Sequence, residues 1–397
     1  MAETYSIFHD GKPFATQIIL TSDFQLPSRA ISKDSKYVLS RFAYVHRDQS
    51  DLVLECPLSH ARIVLHHRLA TACLHALAEP VSVSQFCKRI AGLSVTTARD
   101  LMKMLWSSQM IWDVDENGEP DEDRRTDLQC WEFHDLVFQS RSRAGRHDTP
   151  AGGTCRFAGK FNPPSVLKEM PNDLPPVSLY KPDLKKLQKT DPPFAQVQEE
   201  RRSIREYSST PISVRQLGEF LYRVGRIADY SKTQIALPGS SILFEFAPRP
   251  YPGGGALYEL ELYPLVQHCQ NLNHGFYYYD PDQHRLLRIS NITPTVEALI
   301  RDASRATTVP AEKIQVLLVI SARFQRIAWK YSSMAYATIL KNVGVLYQTM
   351  YLAATAMGLA PCAVGYGNSD TFARAAHTEY YTETSVGEFL LGSKRER

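Results

Sequence analysis

What this 397-residue sequence lacks narrows its function before any motif is read. No apolar run reaches the roughly 20 residues of a membrane-spanning helix. Neither sign of charge dominates. Lys and Arg number 45 against 42 Asp and Glu, a net charge of +3, so the basic footprint of a nucleic-acid-binding protein is missing. Cysteine is sparse: the residues at 56, 73, 87, 130, 155, 269 and 362 are odd in number and form no C-x-x-C pair. That argues against a disulfide framework and against a zinc site. His60, His66 and His67 cluster without making a metal site, because adjacent strand residues face opposite sides. No G-x-G-x-x-G unit occurs, so a nicotinamide-binding Rossmann domain is not expected. Gly153 through Lys160 comes near a phosphate-binding loop, but Thr154 stands at the first glycine position and Phe161 at the Ser/Thr position. The opening MAETYSIFHDGKPF has no charged-then-apolar signal pattern, and the expected location is the cytoplasm.

What is present is ordinary globular composition, 44% hydrophobic and 22% charged, in a chain long enough for two domains. Residues 36–68 read as short strands: SKYVLSRFAYVHRD, DLVLECPLS and ARIVLHH. Helical periodicity follows in RLATACLHALA, VSVSQFCKRIAGL and SVTTARDLMKMLW, and Ile111-Trp112 closes the segment as a strand. This order predicts a winged-helix module over residues 1–135. Its presumed recognition helix has only Arg99 and Lys103 as bases, ahead of the acidic DVDENGEPDEDR, so a peptide-binding role fits better than duplex binding. Residues 136–195, rich in glycine and then proline, predict an extended surface linker. Residues 196–397 mix strands and helices without regular alternation, which predicts an α+β domain. Its longest apolar stretch, Ser332 to Leu359, predicts a helix buried on most sides.

Separate segments of this second domain carry candidate chemistry. Arg201, Arg202 and Arg205 with Ser203 form a compact anion clamp, since guanidinium matches phosphate with paired donors. Pro252, Gly253, Gly254 and Gly255 make a turn in which main-chain groups can reach a flat ligand without Cβ obstruction. Ala363, Val364 and Gly365 follow the long helix and are small enough for close approach. Lys394 and Arg395 add positive charge at the C-terminal end. Lys330 and Tyr331 stand at the mouth of the apolar helix, where desolvation can tune a lysine or a phenol for proton transfer.

The ordered set RRSIREYS, RPYPGGGALYELELYP and WKYSSMAYATILKNVGVLYQTMYLAATAMGLAPCAVG resembles the nitroreductase-like FMN flavoproteins, and within them the SagB-type, or azoline oxidase, branch. FHDLVFQSRSRAG also looks like this branch, and the N-terminal part is similar to PqqD-like peptide-recognition modules. The resemblance implies an FMN-dependent oxidation of peptide thiazolines or oxazolines to thiazoles or oxazoles, with dioxygen reoxidising the flavin. It implies that Arg201, Arg202, Ser203 and Arg205 hold the FMN phosphate and ribityl end, with Lys394 and Arg395 as lesser contributors. Pro252 to Gly255 would pass along the isoalloxazine, Ala363 to Gly365 would approach its N5 region, and Lys330 and Tyr331 would be the catalytic pair. The implied assembly is a homodimer built on the long helix, with FMN at the two-fold interface, and the implied partners are an azoline peptide and a cyclodehydratase. The family usually has serine where this chain has Gly253, so one hydroxyl contact to the cofactor is missing. Three other readings stand beside this one: an NAD(P)H-dependent nitro or quinone reductase, an oxidase of carrier-bound nonribosomal peptides, and a flavin-less scaffold for a cyclase.

Overall fold

The structure, a computed structural model, describes residues 3–28, 30–32, 34–170, 174–237 and 240–395. The chain divides into two units, Met1–Ala151 and Gly152–Arg397.

In the first unit, an antiparallel sheet runs in the order Thr4–His9, Lys12–Ile19, Ala61–Leu65, Asp51–Glu55, Tyr44–Asp48. The hairpin that opens it goes beyond the sequence reading. Its signal is Asp10-Gly11, both left-handed (φ 50° and 74°), as a two-residue hairpin turn demands. The three expected helices form at Arg68–Ala76, Val83–Arg89 and Val95–Ser107, and the side chains of His67, Ser82 and Ser94 cap their N-termini. The expected strand Ile111–Asp113 pairs with Lys36–Leu39, which also pairs with Val81–Ser82. Leu74, Phe86, Leu101 and Leu105 share one core with Tyr37 and Ile111. The central strand of this small sheet precedes the first helix, and the winged-helix assignment stays a proposal.

The second unit is built on a seven-stranded antiparallel sheet, in the order Leu359–Val364, Glu383–Ser393, Val316–Arg323, Leu260–Val266, Gly275–Asp280, Arg285–Ser290, Val177–Ser178. Both faces of its central strands are covered, and Val316–Arg323 reads as a near-continuous apolar run. Leu260, Leu262, Leu318 and Ile320 face one core, with the helices Val214–Gly225 and Ala335–Ala356. Tyr263, Leu265, Leu317 and Val319 face the other, with Pro294–Thr307 and Ser369–Ala376. This period-two sorting makes the unit an α+β layered fold.

Two expectations need correction. The long helix covers Ala335–Ala356 rather than Ser332 to Leu359. Left-handed Ser333 (φ 62°) blocks its start, and left-handed Gly358 (φ 66°) follows its end. It is also not buried on most sides, since Leu340, Lys341, Gly344 and Gln348 are exposed. Residues 136–195 are not a surface linker throughout. Val166 is fully buried, Cys155, Phe157 and Ala158 pack on the second unit's core, and Val177–Ser178 adds an edge strand. Proline lacks a donor but keeps its carbonyl. The carbonyls of Phe161, Pro164 and Ser165 accept from Trp329, Arg326 and Arg323. Among the described residues, no helix is long and apolar enough to cross a membrane.

Candidate active site

Lys330 and Tyr331 lie between the short helix Phe324–Ala328 and the long helix. Trp329, fully buried, anchors them, and its indole N–H donates to the Phe161 carbonyl at 2.8 Å. Both side chains of the pair are half-buried, and the lysine Nζ lies 5.4 Å from the centre of the tyrosine ring. Burial, then the nearby Cys155, pushes the Tyr331 phenol above its ordinary value, so it is protonated at neutral pH.

The glycine turn lies directly against this pair. Gly255 is left-handed (φ 63°), and a Cβ there would sit 2.5 Å from the Tyr331 hydroxyl and 3.1 Å from Lys330 Nζ. Ala256 and Tyr258 are also left-handed, at φ 54° and 47°. Such non-glycine residues cost about 1–3 kcal/mol each and cluster at functional sites. A Cβ at Gly254 would clash with Thr338 of the long helix, and one at Gly253 would meet the Tyr258 ring at 3.3 Å. Pro252, at the head of the turn, is exposed. The Gly254 N–H donates to Asn342 Oδ1 at 3.0 Å, and Asn342 Nδ2 donates to Glu259 Oε1 at 2.9 Å. Glu259 is fully buried and its second oxygen has no partner. Desolvation pushes its carboxyl up to about 7, against the opposing hydrogen bond from Asn342.

The anion clamp forms elsewhere on the same unit. Ile204 N–H donates to the Pro361 carbonyl at 2.8 Å, which lays residues 201–205 along the strand Leu359–Val364. Ser203 Oγ and the Tyr351 hydroxyl are 2.6 Å apart, and that hydroxyl accepts from the Ala363 N–H at 2.8 Å. The Arg201 guanidinium stacks 5.2 Å from the Tyr351 ring. The strand Glu383–Ser393 delivers the C-terminal cations to the same place. Arg202, Ser203, Arg205, Lys394 and Arg395 line one open cavity of about 630 Å³, with Glu206 as its one acidic lining residue. Beyond Ala363, the Val364 carbonyl accepts from the Tyr347 hydroxyl at 3.4 Å, and Gly365 is exposed. Glu388, buried opposite Val364, is also pushed up to about 7 by desolvation.

The structure thus sorts the sequence candidates into two groups. Arg201, Arg202, Ser203, Arg205, Ala363, Lys394 and Arg395 form one, with Val364 and Gly365 following Ala363 in the chain, and Gly253, Gly254, Gly255, Lys330 and Tyr331 form the other, with the exposed Pro252 at the head of the turn. Their anchors on the long helix, Tyr351 and Asn342, are nine residues apart. At 3.6 residues per turn that is about half a turn out of phase. The groups occupy the two edges of the helix's buried arc, and the exposed arc with Lys341, Gly344 and Gln348 runs between them. The sequence reading passed over Asn342, Tyr351, Glu259 and Glu388. A buried amide in the middle of an apolar helix needs a partner, and that was the available signal for Asn342.

The two raised carboxyls carry a stability prediction. Each binds its proton more tightly folded than unfolded, so its contribution is full below the ordinary value near 4.5 and is lost as pH rises through about 7. Glu259→Gln and Glu388→Gln should each raise the melting temperature at pH 8 and leave it unchanged at pH 4. Thermal melts at both pH values check this, and equal effects at both would contradict it.

Residues 199–392 match the nitroreductase family, and residues 37–148 match the cyanobactin oxidase ThcOx. The chain is 28% identical over 165 residues to a protein of Methanocaldococcus jannaschii named as a nitroreductase, covering 42% of this chain and 74% of that one. It is 31% identical over 115 residues to the microcin B17-processing protein McbC of Escherichia coli, covering 28% of this chain and 42% of McbC, so the chain spans under half the length of that relative. Among solved structures, the E. coli microcin synthetase McbBCD complex with truncated pro-MccB17 bound has a chain with TM-score 0.40 and 19% identity, over 62% of this chain and 89% of that one.

Proposed function

We propose, from the premise that this chain is an oxidoreductase carrying a nitroreductase-family domain beside a cyanobactin-oxidase domain, that it oxidises azoline rings of a peptide to azoles with FMN. The observation that carries the reading is the Lys330–Tyr331 pair packed against the left-handed Gly255, on the domain whose other edge gathers cations into one cavity. The residues fit the cofactor's chemistry. Two guanidiniums, a serine hydroxyl and the terminal lysine and arginine suit a phosphate monoester. Glycines without Cβ atoms suit the edge of a flat ring.

FMN, when bound, accepts the hydride equivalent that leaves the azoline ring. The chain does the rest. Oxidation removes a proton from one ring carbon and a hydride from its neighbour, and the ring becomes aromatic. Burial holds the Tyr331 hydroxyl as a phenol, able to donate a hydrogen bond in the site. Taking the proton falls to the Lys330–Tyr331 pair, whose side chains lie together against the Gly255 backbone.

The half-turn separation of the two groups supports a homodimer across the exposed arc of the long helix, one copy giving the clamp and the other the glycine turn and the Lys–Tyr pair. The first unit, where the cyanobactin-oxidase match lies, is proposed to hold the peptide. An azoline arises when a Cys, Ser or Thr side chain condenses on the preceding carbonyl with loss of water, so a cyclodehydratase is the proposed supplier.

The test is the visible spectrum of the purified protein, with chromatography of the released chromophore. The expected result is FMN at about one per subunit, and an Arg205→Ala variant that has lost most of it. A protein that stays colourless after incubation with FMN would sink the reading.

A further inference from the structure

The segment from Gly152 to Phe161 lies between the two family matches, which end at 148 and begin at 199. It nevertheless runs along the catalytic candidates. Ser332 and Gly152 exchange both main-chain hydrogen bonds, at 3.0 Å and 3.3 Å. The Thr154 and Ser332 hydroxyls are 2.6 Å apart, with Ser332 buried. Cys155 N–H donates to the Lys330 carbonyl at 3.0 Å, and the Phe161 carbonyl takes the Trp329 indole at 2.8 Å. A Cβ at Gly153 would stand 3.9 Å from Tyr331 Cε1 and 4.0 Å from Lys330 Cε.

The N–H groups of Lys330 and Tyr331 donate to the Ile327 carbonyl at the end of the preceding helix, at 3.1 Å and 2.9 Å, but beyond them the chain leaves regular structure. The helix before them ends at Ala328, the one after begins at Ala335, and Ser333 between is left-handed. The Lys330 carbonyl and both main-chain groups of Ser332 find their partners in the 152–155 segment. The pair therefore stands between two glycines, Gly255 on one side and Gly153 on the other.

We propose that residues 152–161 are a positioning strap, which fixes Lys330 and Tyr331 from the side opposite the glycine turn, with the Thr154–Ser332 hydroxyl contact as its clasp. This rests on the azoline-oxidase reading for what the pair does, but not for what holds it. The strap acts through the main chain on either side of the pair, so Thr154 is a positioning residue and does not touch the reacting atoms. Thr154→Val keeps the shape and removes the hydroxyl. Thr154→Ser keeps the hydroxyl.

The experiment compares these two variants with the parent, FMN-loaded and FMN-free, by amide hydrogen exchange at Lys330, Tyr331 and Ser332 and by turnover of synthetic peptides carrying one thiazoline or one oxazoline. In Thr154→Val, exchange at Ser332 should rise at least ten-fold with the central sheet unchanged, and kcat should fall at least ten-fold at constant KM and FMN content. Thr154→Ser should restore both to within about two-fold. Unchanged exchange in Thr154→Val overturns the strap, as does raised exchange with unchanged kcat, which would make the clasp structural only. Lys330→Ala, run in parallel, separates the premises: if it turns over like the parent, the reading of the pair fails, while the exchange data still decide whether the strap holds that segment.

Discussion

Lys330→Ala should lower azoline turnover by roughly 10²–10⁴-fold, the usual worth of a placed general base, while the flavin content of the purified protein stays at the parent level. The two effects separate because the lysine and the clamp occupy different edges of the long helix. Among the described residues, Lys330 is not part of the cavity lined by Arg202, Ser203, Arg205 and the C-terminal cations. Tyr331→Phe should also keep the flavin and lose turnover, because the Tyr331 hydroxyl lies beside Lys330 against Gly255. Equal and complete activity in both variants would remove the pair from the chemistry. Loss of flavin in either would mean that these residues hold the cofactor.

Gly255→Ala should be nearly as damaging, through geometry alone. The residue is left-handed, where alanine is strained, and the added Cβ would sit 2.5 Å from the Tyr331 hydroxyl, closer than atoms in contact allow. One of the two must move. A displacement of about 1 Å at a reacting group can cost about 10²-fold. Turnover per bound FMN should therefore drop by about that much, with the fold intact by circular dichroism. If Gly255→Ala keeps parental turnover, the close approach of turn and pair has no part in catalysis.

Much of this architecture was legible from periodicity. The strands Leu260–Val266 and Val316–Arg323 and the helix Val214–Gly225 appear where their apolar patterns put them. The site was legible as separate glycine, arginine and Lys-Tyr segments. Their grouping was not, because it depends on which edge of one helix each segment meets, and that is fixed by Asn342 and Tyr351. The glutamates were hidden for a related reason. Glu259 and Glu261 alternate with Leu260 and Leu262, a pattern that ordinarily marks a solvated face. Here helices and loops cover both faces, so the carboxyls are buried and displaced in pKa. The proline-rich segment misled in the opposite direction. Proline and glycine signal irregular chain, and they do not say that the irregular chain is exposed.

Azoline oxidation is tested most directly by mass spectrometry of a synthetic peptide carrying one thiazoline or one oxazoline, incubated with the FMN-loaded protein in air. The predicted result is a product lighter by two hydrogens with the absorbance of the aromatic azole, formed at least about 10²-fold more slowly with Lys330→Ala. An unchanged peptide, from a protein that instead reduces a nitroaromatic at the expense of NAD(P)H, would contradict the account and make the chain a reductase.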